Sequence, residues 1–164
     1  LCAFLLVPDA ILAQQSDGPR TDGQLVIDVD RSDRMFEQAF RLAANSQNWN
    51  RAADQYVESA RHRPYGDLKA YVALNRAGQI YSHLGNNRAS HNAFAAAGLR
   101  AMETGQVYEA AMAFANAGEA SQQDRRSVRY GLDYVHMAHR LSEAPSLTEE
   151  QRKRIRTRLG SAGS

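Results

Sequence analysis

From residue 32 onward, apolar residues recur every three or four positions, which is the period of an amphipathic α-helix. This pattern predicts seven helices, at residues 33–46, 49–63, 67–84, 87–102, 105–119, 124–142 and 147–159. β-Branched residues are sparse between Asp33 and Ala144 and form no alternating run, so no strand is predicted there. The sequence therefore predicts an all-α fold.

Residues with known capping preferences mark several of the predicted helix ends. Ser32 is the predicted N-cap of the first helix, Pro64 is expected to stop the second, and Gly85 is expected to cap the third. The run from Ser146 to Glu149 matches a capping box at the start of the last helix. Because the loops between these helices have only two to four residues, consecutive helices are expected to be antiparallel.

Each predicted helix has a narrow apolar face that is rich in alanine. Phe40 in the first helix and Leu132 in the sixth are among the larger residues assigned to these faces. Helices of this kind gain stability by stacking on their neighbours, and small residues allow close contact between helices. An α-solenoid of antiparallel helix pairs is the expected architecture.

The middle of the chain resembles the tetratricopeptide repeat (TPR), a pair of helices with a characteristic order of small and large residues. In residues 71–104 the matching positions are Leu74, Ala77, Gly78, Tyr81, Leu84, Gly85, Ser90, Phe94 and Ala97. Residues 33–66 match through Trp49, Ala52, Tyr56, Ser59 and Pro64, and more loosely through Phe36, Ala39, Phe40 and Ala43. After residue 105 the match is limited to Tyr108, Ala111 and Met112. The resemblance covers roughly residues 33–142 and is strongest in the middle.

The resemblance to TPR proteins implies about three repeats in a right-handed array, closed by a C-terminal capping helix. The predicted organisation is a truncated signal peptide at 1–13, a flexible linker at 14–31, a TPR-like repeat domain at 32–144, and a basic capping helix and tail at 145–164. Gly78 is expected where the two helices of a pair approach closely, and Tyr56 and Phe94 are expected to fill the space between pairs.

TPR proteins bind peptides or partner helices on their inner face, so the resemblance implies that this chain binds another protein or peptide. The positions that correspond to that face are Arg34, Glu37, Arg41, Asn45, Asn75, Gln79, His83, Gln106, Glu109 and Asn116. They form a polar set rich in amides. Arg41 and Arg76 stand where the carboxylate-binding members of the family have asparagine, so recognition of a free C-terminal carboxylate is not expected.

The N-terminal run 1–13 is apolar and is followed at once by polar residues, as in the later part of a secretory signal peptide cleaved after Ala13. A short buried helix, or an anchor whose upstream half is missing, are the alternatives. Cys2 is the one cysteine, so the chain alone can form no disulfide. We expect an exported protein, periplasmic or secreted, with a cytoplasmic location as the alternative. Within the linker, 25–29 is apolar enough to lie against the domain.

Composition and motifs give little support to a catalytic function. The 164 residues carry a net charge of +2 and a mean hydropathy of -0.55, which excludes a multi-pass membrane protein. No Gly-rich phosphate loop or nucleophile elbow is present. The best metal candidate is one face of the sixth helix, with Asp133, His136, His139 and Glu143, but a solvated face is the favoured interpretation. No enzyme activity, metal or cofactor is expected.

The C-terminal residues 151–164 contain five basic side chains and no acid. Glu149 and Glu150 precede them, so the charges complement the dipole of a capping helix. The alternative function is a polyanion binder that uses this helix on nucleic acid or an anionic membrane. Nucleic acid is the less expected partner because no aromatic residues are interleaved with the arginines. Peripheral membrane contact and the oligomeric state stay open.

Overall fold

A computed structural model describes residues 27–123 and 128–162 of the protein. These residues form seven α-helices and no strand, as the sequence predicts. The helices are α1 Val29–Ala43, α2 Trp49–Arg61, α3 Leu68–His83, α4 Asn87–Glu103, α5 Val107–Gln122, α6 Val128–Ser142 and α7 Glu149–Ala162. A single turn of 3-10 helix, Ser46–Asn48, separates α1 from α2. The predicted signal peptide lies outside the described residues, as does most of the predicted linker.

Helix pairs stack into an α-solenoid, as predicted. Each helix from α1 to α6 packs against the next one along the chain, and α7 packs against both α5 and α6. Side chains also join alternate helices: Arg76 of α3 contacts Phe36 of α1, and His91 of α4 contacts Tyr134 of α6. We call the surface formed by α1, α3, α5 and α7 the odd-helix face.

Glycines terminate α3 and α4 in the same way. Gly85 and Gly105 have φ angles of 70° and 72°, a left-handed conformation that other residues rarely adopt. The following amides then bond back into the helix, Asn86 N to Tyr81 O and Gln106 N to the carbonyl of Ala101, each at 2.9 Å. The predicted cap at Gly85 is confirmed, and this tight turn brings α4 back antiparallel to α3.

Glycine also sets the distance between paired helices. A Cβ atom at position 78 would lie 2.7 Å from the ring of Phe94, and one at position 98 would lie 2.6 Å from the ring of Phe114. The close contact expected at Gly78, between the two helices of a pair, is therefore present between α3 and α4. Phe94 consequently occupies the contact inside that pair as well as the core that it shares with α5.

The first helix begins at Val29, earlier than predicted, so the last part of the predicted linker is helical. Asp28 is its N-cap, because its carboxylate accepts a hydrogen bond from the amide of Arg31 at 2.8 Å. The predicted cap, Ser32, is instead fully buried between α1 and α2, where its hydroxyl donates to the carbonyl of Ser59 at 2.8 Å. Asp28 N also donates to the carbonyl of His62 at 3.1 Å, which fixes the start of α1 on the end of α2.

The last helix begins with a different capping box from the predicted one. Thr148 and Gln151 form it: Thr148 N donates to Gln151 Oε1 at 2.9 Å, and Gln151 N donates to Thr148 Oγ1 at 3.2 Å. Leu147 is then free to pack with the fully buried Ile155 and with Ala111 of α5. The α7 helix therefore caps the array, as predicted, and it does so on α5 as well as α6.

Two residues assigned to the core are in fact exposed. Phe40 is 55% exposed on α1 and Leu132 is 56% exposed on α6. Phe40 packs against a charged group from another helix instead of the core, as described below. None of the described helices is long and apolar enough to cross a membrane.

Candidate functional site

Two adjoining cavities open along the odd-helix face, and Gln79 of α3 lines both of them. The first, of about 380 Å³, lies between α1 and α3 with α2 behind it, and is lined by Ala43, Tyr56, Tyr71, Val72, Asn75, Arg76, Gln79 and Ile80. The second, of about 270 Å³, lies between the ends of α3, α5 and α7, and is lined by Gln79, Ser82, His83, Phe94, Asn116, Glu119, Ala120, Gln123 and Arg158. Together they form a depression lined by residues of all four odd-numbered helices.

The first cavity is built around Arg76. Its guanidinium carbon lies 5.4 Å from the ring centroid of Phe40, 5.6 Å from that of Phe36 and 5.9 Å from that of Tyr56, all within cation–π range. One guanidinium nitrogen donates to the hydroxyl of Tyr56 at 3.3 Å. Phe36 and Tyr56 themselves meet edge to face at 5.2 Å. Three aromatic rings thus hold the charged group in place at the wall of the cavity.

The second cavity has a different electrostatic character because its cation is already paired. Arg158 of α7 donates to Asn116 Oδ1 at 2.6 Å and forms an ion pair with Glu119. These contacts join the end of α7 to α5 and leave the amides of Gln79 and Gln123 and the ring of His83 along the cavity edge. His83 also lies against Trp49 of α2, with the ring centroids 5.8 Å apart.

Tyr71, which lines the first cavity, and Tyr81 of the same helix keep their protons at neutral pH. Burial raises the pKa of Tyr71 above its ordinary value, and the nearby charge of Glu109 raises it further. Burial also raises the pKa of Tyr81, and so does its hydrogen bond to Asp54, to which its hydroxyl donates at 2.5 Å. Tyr71 is therefore neutral, and Arg76 is the charged residue among those lining the first cavity.

The structure brings together four of the ten residues that sequence analysis assigns to the inner face, namely Asn75, Gln79, His83 and Asn116. The other six are Arg34, Glu37, Arg41, Asn45, Gln106 and Glu109, and they do not line either cavity. Arg34, Glu37 and Arg41 are exposed along α1.

Two of those six lie at helix ends and have local structural contacts. Asn45 caps the 3-10 turn, because its side chain accepts from the amide of Gln47 at 3.0 Å. Gln106 is the residue before α5, and its amide bonds back to the end of α4.

Phe40 and Arg76 are absent from the inner-face residues predicted from the sequence. Phe40 has the helical spacing of a core residue, and Arg76 follows it by 36 positions, so nothing local connects them. The charge of Arg76 could have indicated the site, because an arginine in the middle of an alanine-rich helix needs either water or a partner.

The metal candidate on α6 is not assembled. No group of three or more possible ligands lies close enough to hold an ion within the part of the chain that the structure describes. His139 and Glu143 approach to 3.8 Å, and both side chains are about two-thirds exposed. A solvated helix face, the favoured interpretation, fits this arrangement.

Arginines of α7 are largely paired with acids of the same chain. Arg152 and Arg156 contact Glu149, and Arg154 contacts Glu150, at 3.1–3.9 Å. Arg152 also donates to the carbonyl of Ala144 at 3.1 Å, near the start of the loop between α6 and α7. These contacts reduce the positive charge that the helix offers to an external polyanion.

A comparison with family models identifies the chain. Residues 25–148 match the model described as "Soluble NSF attachment protein, SNAP", which is more than half of the sequence. Neither a curated protein nor a solved structure shows significant similarity to the chain. The matched region runs from the start of α1 through α6, and SNAP proteins are themselves α-solenoids within the TPR-like superfamily, in agreement with the observed fold. The chain therefore belongs to the soluble NSF attachment protein family.

Proposed function

We propose that this protein is a non-catalytic adaptor that binds another protein on its odd-helix face. The observation that carries the proposal is the pair of cavities that meet at Gln79. Between them they offer the amides of Asn75 and Gln79, which are suited to hydrogen-bonding the main chain of a bound segment. A cavity with one charge and no assembled metal ligands among the described residues is better suited to recognition than to catalysis.

Family membership supports the same class of function. The printed family name describes an attachment protein, and proteins of this family and of the TPR-like superfamily act as helical adaptors for other proteins. The general role, protein binding by an α-solenoid, follows from that membership. We propose in addition that the array has the right-handed twist of TPR proteins, which would make the odd-helix face concave.

We also propose that the protein is exported, to the periplasm or out of the cell. The apolar run 1–13, with small Ala13 before a polar stretch, is the observation that supports this location. Mass spectrometry of the protein recovered from its native cells would give the mature N-terminus. A terminus at Gln14 is expected, and a mature chain that retains 1–13 would contradict export by cleavage.

Affinity capture with surface variants tests the binding face. Tagged wild-type protein, Gln79→Trp and Asn92→Trp would be used to recover partners from native cells, with quantification by mass spectrometry. Gln79 and Asn92 are both exposed helical residues, but Asn92 is on α4 and lines neither cavity. We expect Gln79→Trp, which puts a bulky ring where the two cavities meet, to lose at least ten-fold of the specifically captured partner and Asn92→Trp to retain it. Equal recovery by both variants would contradict the assignment of the odd-helix face.

A further inference from the structure

Arg76 is the feature of the first cavity that most restricts what can bind there. Its one hydrogen bond to a described residue is the contact with the Tyr56 hydroxyl, and it forms no ion pair with any acid in residues 27–123 or 128–162. A guanidinium has five N–H donors, so most of them are left for water or a ligand. The remaining lining residues add no negative charge that could neutralise it.

Arg76 is also held in position before anything binds. The guanidinium lies 5.4–5.9 Å from the ring centroids of Phe36, Phe40 and Tyr56. Phe40 makes this contact although its side chain remains 55% exposed. Side-chain order of this kind reduces the conformational entropy that binding would otherwise have to remove. A planar guanidinium that is stacked on rings can still offer its edge to a carboxylate, in a paired geometry that lysine cannot reproduce.

The residues around Arg76 indicate which kind of carboxylate-bearing ligand the first cavity can bind. The cavity of about 380 Å³ has room for more than one side chain, and Val72 and Ile80 provide apolar contact beside the charge. Asn75 and Gln79 lie one helical turn apart on the same side, where they can bond the amides of an extended main chain. Arg41 and Arg76 stand where TPR proteins that bind a free C-terminal carboxylate have asparagine, so a side-chain carboxylate is the expected ligand.

We propose that the first cavity binds an acidic side chain, glutamate or aspartate, of an extended segment in a partner protein, with the carboxylate paired to Arg76. The exposed ring of Phe40 contacts an apolar residue next to that acid. This inference rests on the proposed function of the odd-helix face and specifies the chemistry of its ligand.

Selection from a peptide library tests the inference directly. A library of 12-residue random peptides with amidated C-termini would be selected on immobilised wild-type protein. We expect the enriched peptides to share one glutamate or aspartate next to an apolar residue. Replacing that acid with glutamine or asparagine should weaken binding at least ten-fold, as measured by fluorescence polarisation.

The matched variants are Arg76→Gln, Arg76→Lys and, as the control, Arg140→Gln, which removes an exposed arginine of α6. Arg76→Gln should abolish the preference for the acid, and Arg76→Lys should retain a reduced preference because lysine keeps the charge but not the planar contact. The control should bind as the wild type does. Thermal melting of each variant, followed by circular dichroism, distinguishes loss of a contact from loss of the fold. If Arg76→Gln is unfolded, the Arg76→Lys variant and the acid replacement in the peptide test whether Arg76 binds the acid.

Enrichment of peptides without a shared acid, or an acid preference that survives in Arg76→Gln, would overturn the inference. A selection that enriches nothing on the wild-type protein would overturn it too. A parallel selection would use the same library with free C-termini. Peptides that bind only in that form would show that the cavity binds a chain terminus, which also contradicts the proposal. The capture experiment with Gln79→Trp uses native proteins and leaves the charge of the cavity unchanged, so the proposed function can stand or fail separately.

Discussion

The ring of Phe94 lies so close to the backbone of Gly78 that no side chain fits between α3 and α4 at this point. Gly78→Ala would place a methyl group 2.7 Å from the ring, and we expect it to lower the free energy of unfolding by about 1–3 kcal/mol through overpacking. The cost of overpacking should exceed the roughly 1 kcal/mol that alanine contributes by its higher helix propensity, so the net effect of the substitution is destabilising. Urea unfolding followed by circular dichroism measures the difference.

Gly160 provides a matched control for that substitution. It is also a helical glycine, but a Cβ atom there would have no neighbour within 4 Å. Gly160→Ala should leave stability unchanged or raise it by up to about 1 kcal/mol. If the two alanine variants had the same stability, the close α3–α4 contact would not exist in solution.

The buried side chain of Ile155 tests whether α7 caps the array. It is fully buried against Leu147 and Ala111, so Ile155→Ala should cost about 2–5 kcal/mol in urea unfolding. Lys153 is exposed on the same helix, and Lys153→Ala should change stability by less than about 0.5 kcal/mol. An unchanged midpoint for Ile155→Ala would mean that α7 does not pack as described.

Acid should weaken the contact between the start of α1 and the α2–α3 loop. Hydrogen bonds from Lys69 and from the buried Arg63 hold the pKa of Asp33 below its ordinary value. Because the folded-state pKa is lowered, the contribution of Asp33 to stability is present above its unfolded-state pKa of about 3.9 and is lost as the pH falls through the folded-state value.

Asp33→Asn should therefore be less stable than the wild type by about 1 kcal/mol at pH 7, a modest value because the Asp33 side chain is 45% exposed. The difference should shrink below about pH 4. Asp133 is exposed on α6, and Asp133→Asn serves as the control that should show little effect at either pH. A difference for Asp33→Asn that stayed constant from pH 7 to pH 3 would contradict the role of its charge.

The fold could be predicted from sequence because its determinants are local. The helical period, the stop before Pro64 and the turn at Gly85 each depend on a few neighbouring residues. Gly78, Gly98 and Gly118 are spaced 20 residues apart and make equivalent close contacts in successive helices, a period that differs from the 34 residues of the TPR.

Helix starts were harder to predict because two local solutions competed. Both Ser146 with Glu149 and Thr148 with Gln151 fit the capping-box pattern, and the burial of Leu147 against Ile155 favours the second. The site depended on longer-range contacts. Phe40 was assigned to the core because aromatic residues at helical spacing usually lie there, whereas its actual partner is a cation from α3.

Site-specific photo-cross-linking tests most directly whether the odd-helix face is the binding surface. A benzophenone amino acid would replace Gln79, between the two cavities, or Asn92 on α4, in protein expressed in its native cells at normal levels. We predict that ultraviolet light yields a discrete cross-linked partner from position 79 and none from position 92. A partner cross-linked from position 92 and absent from position 79 would contradict the account.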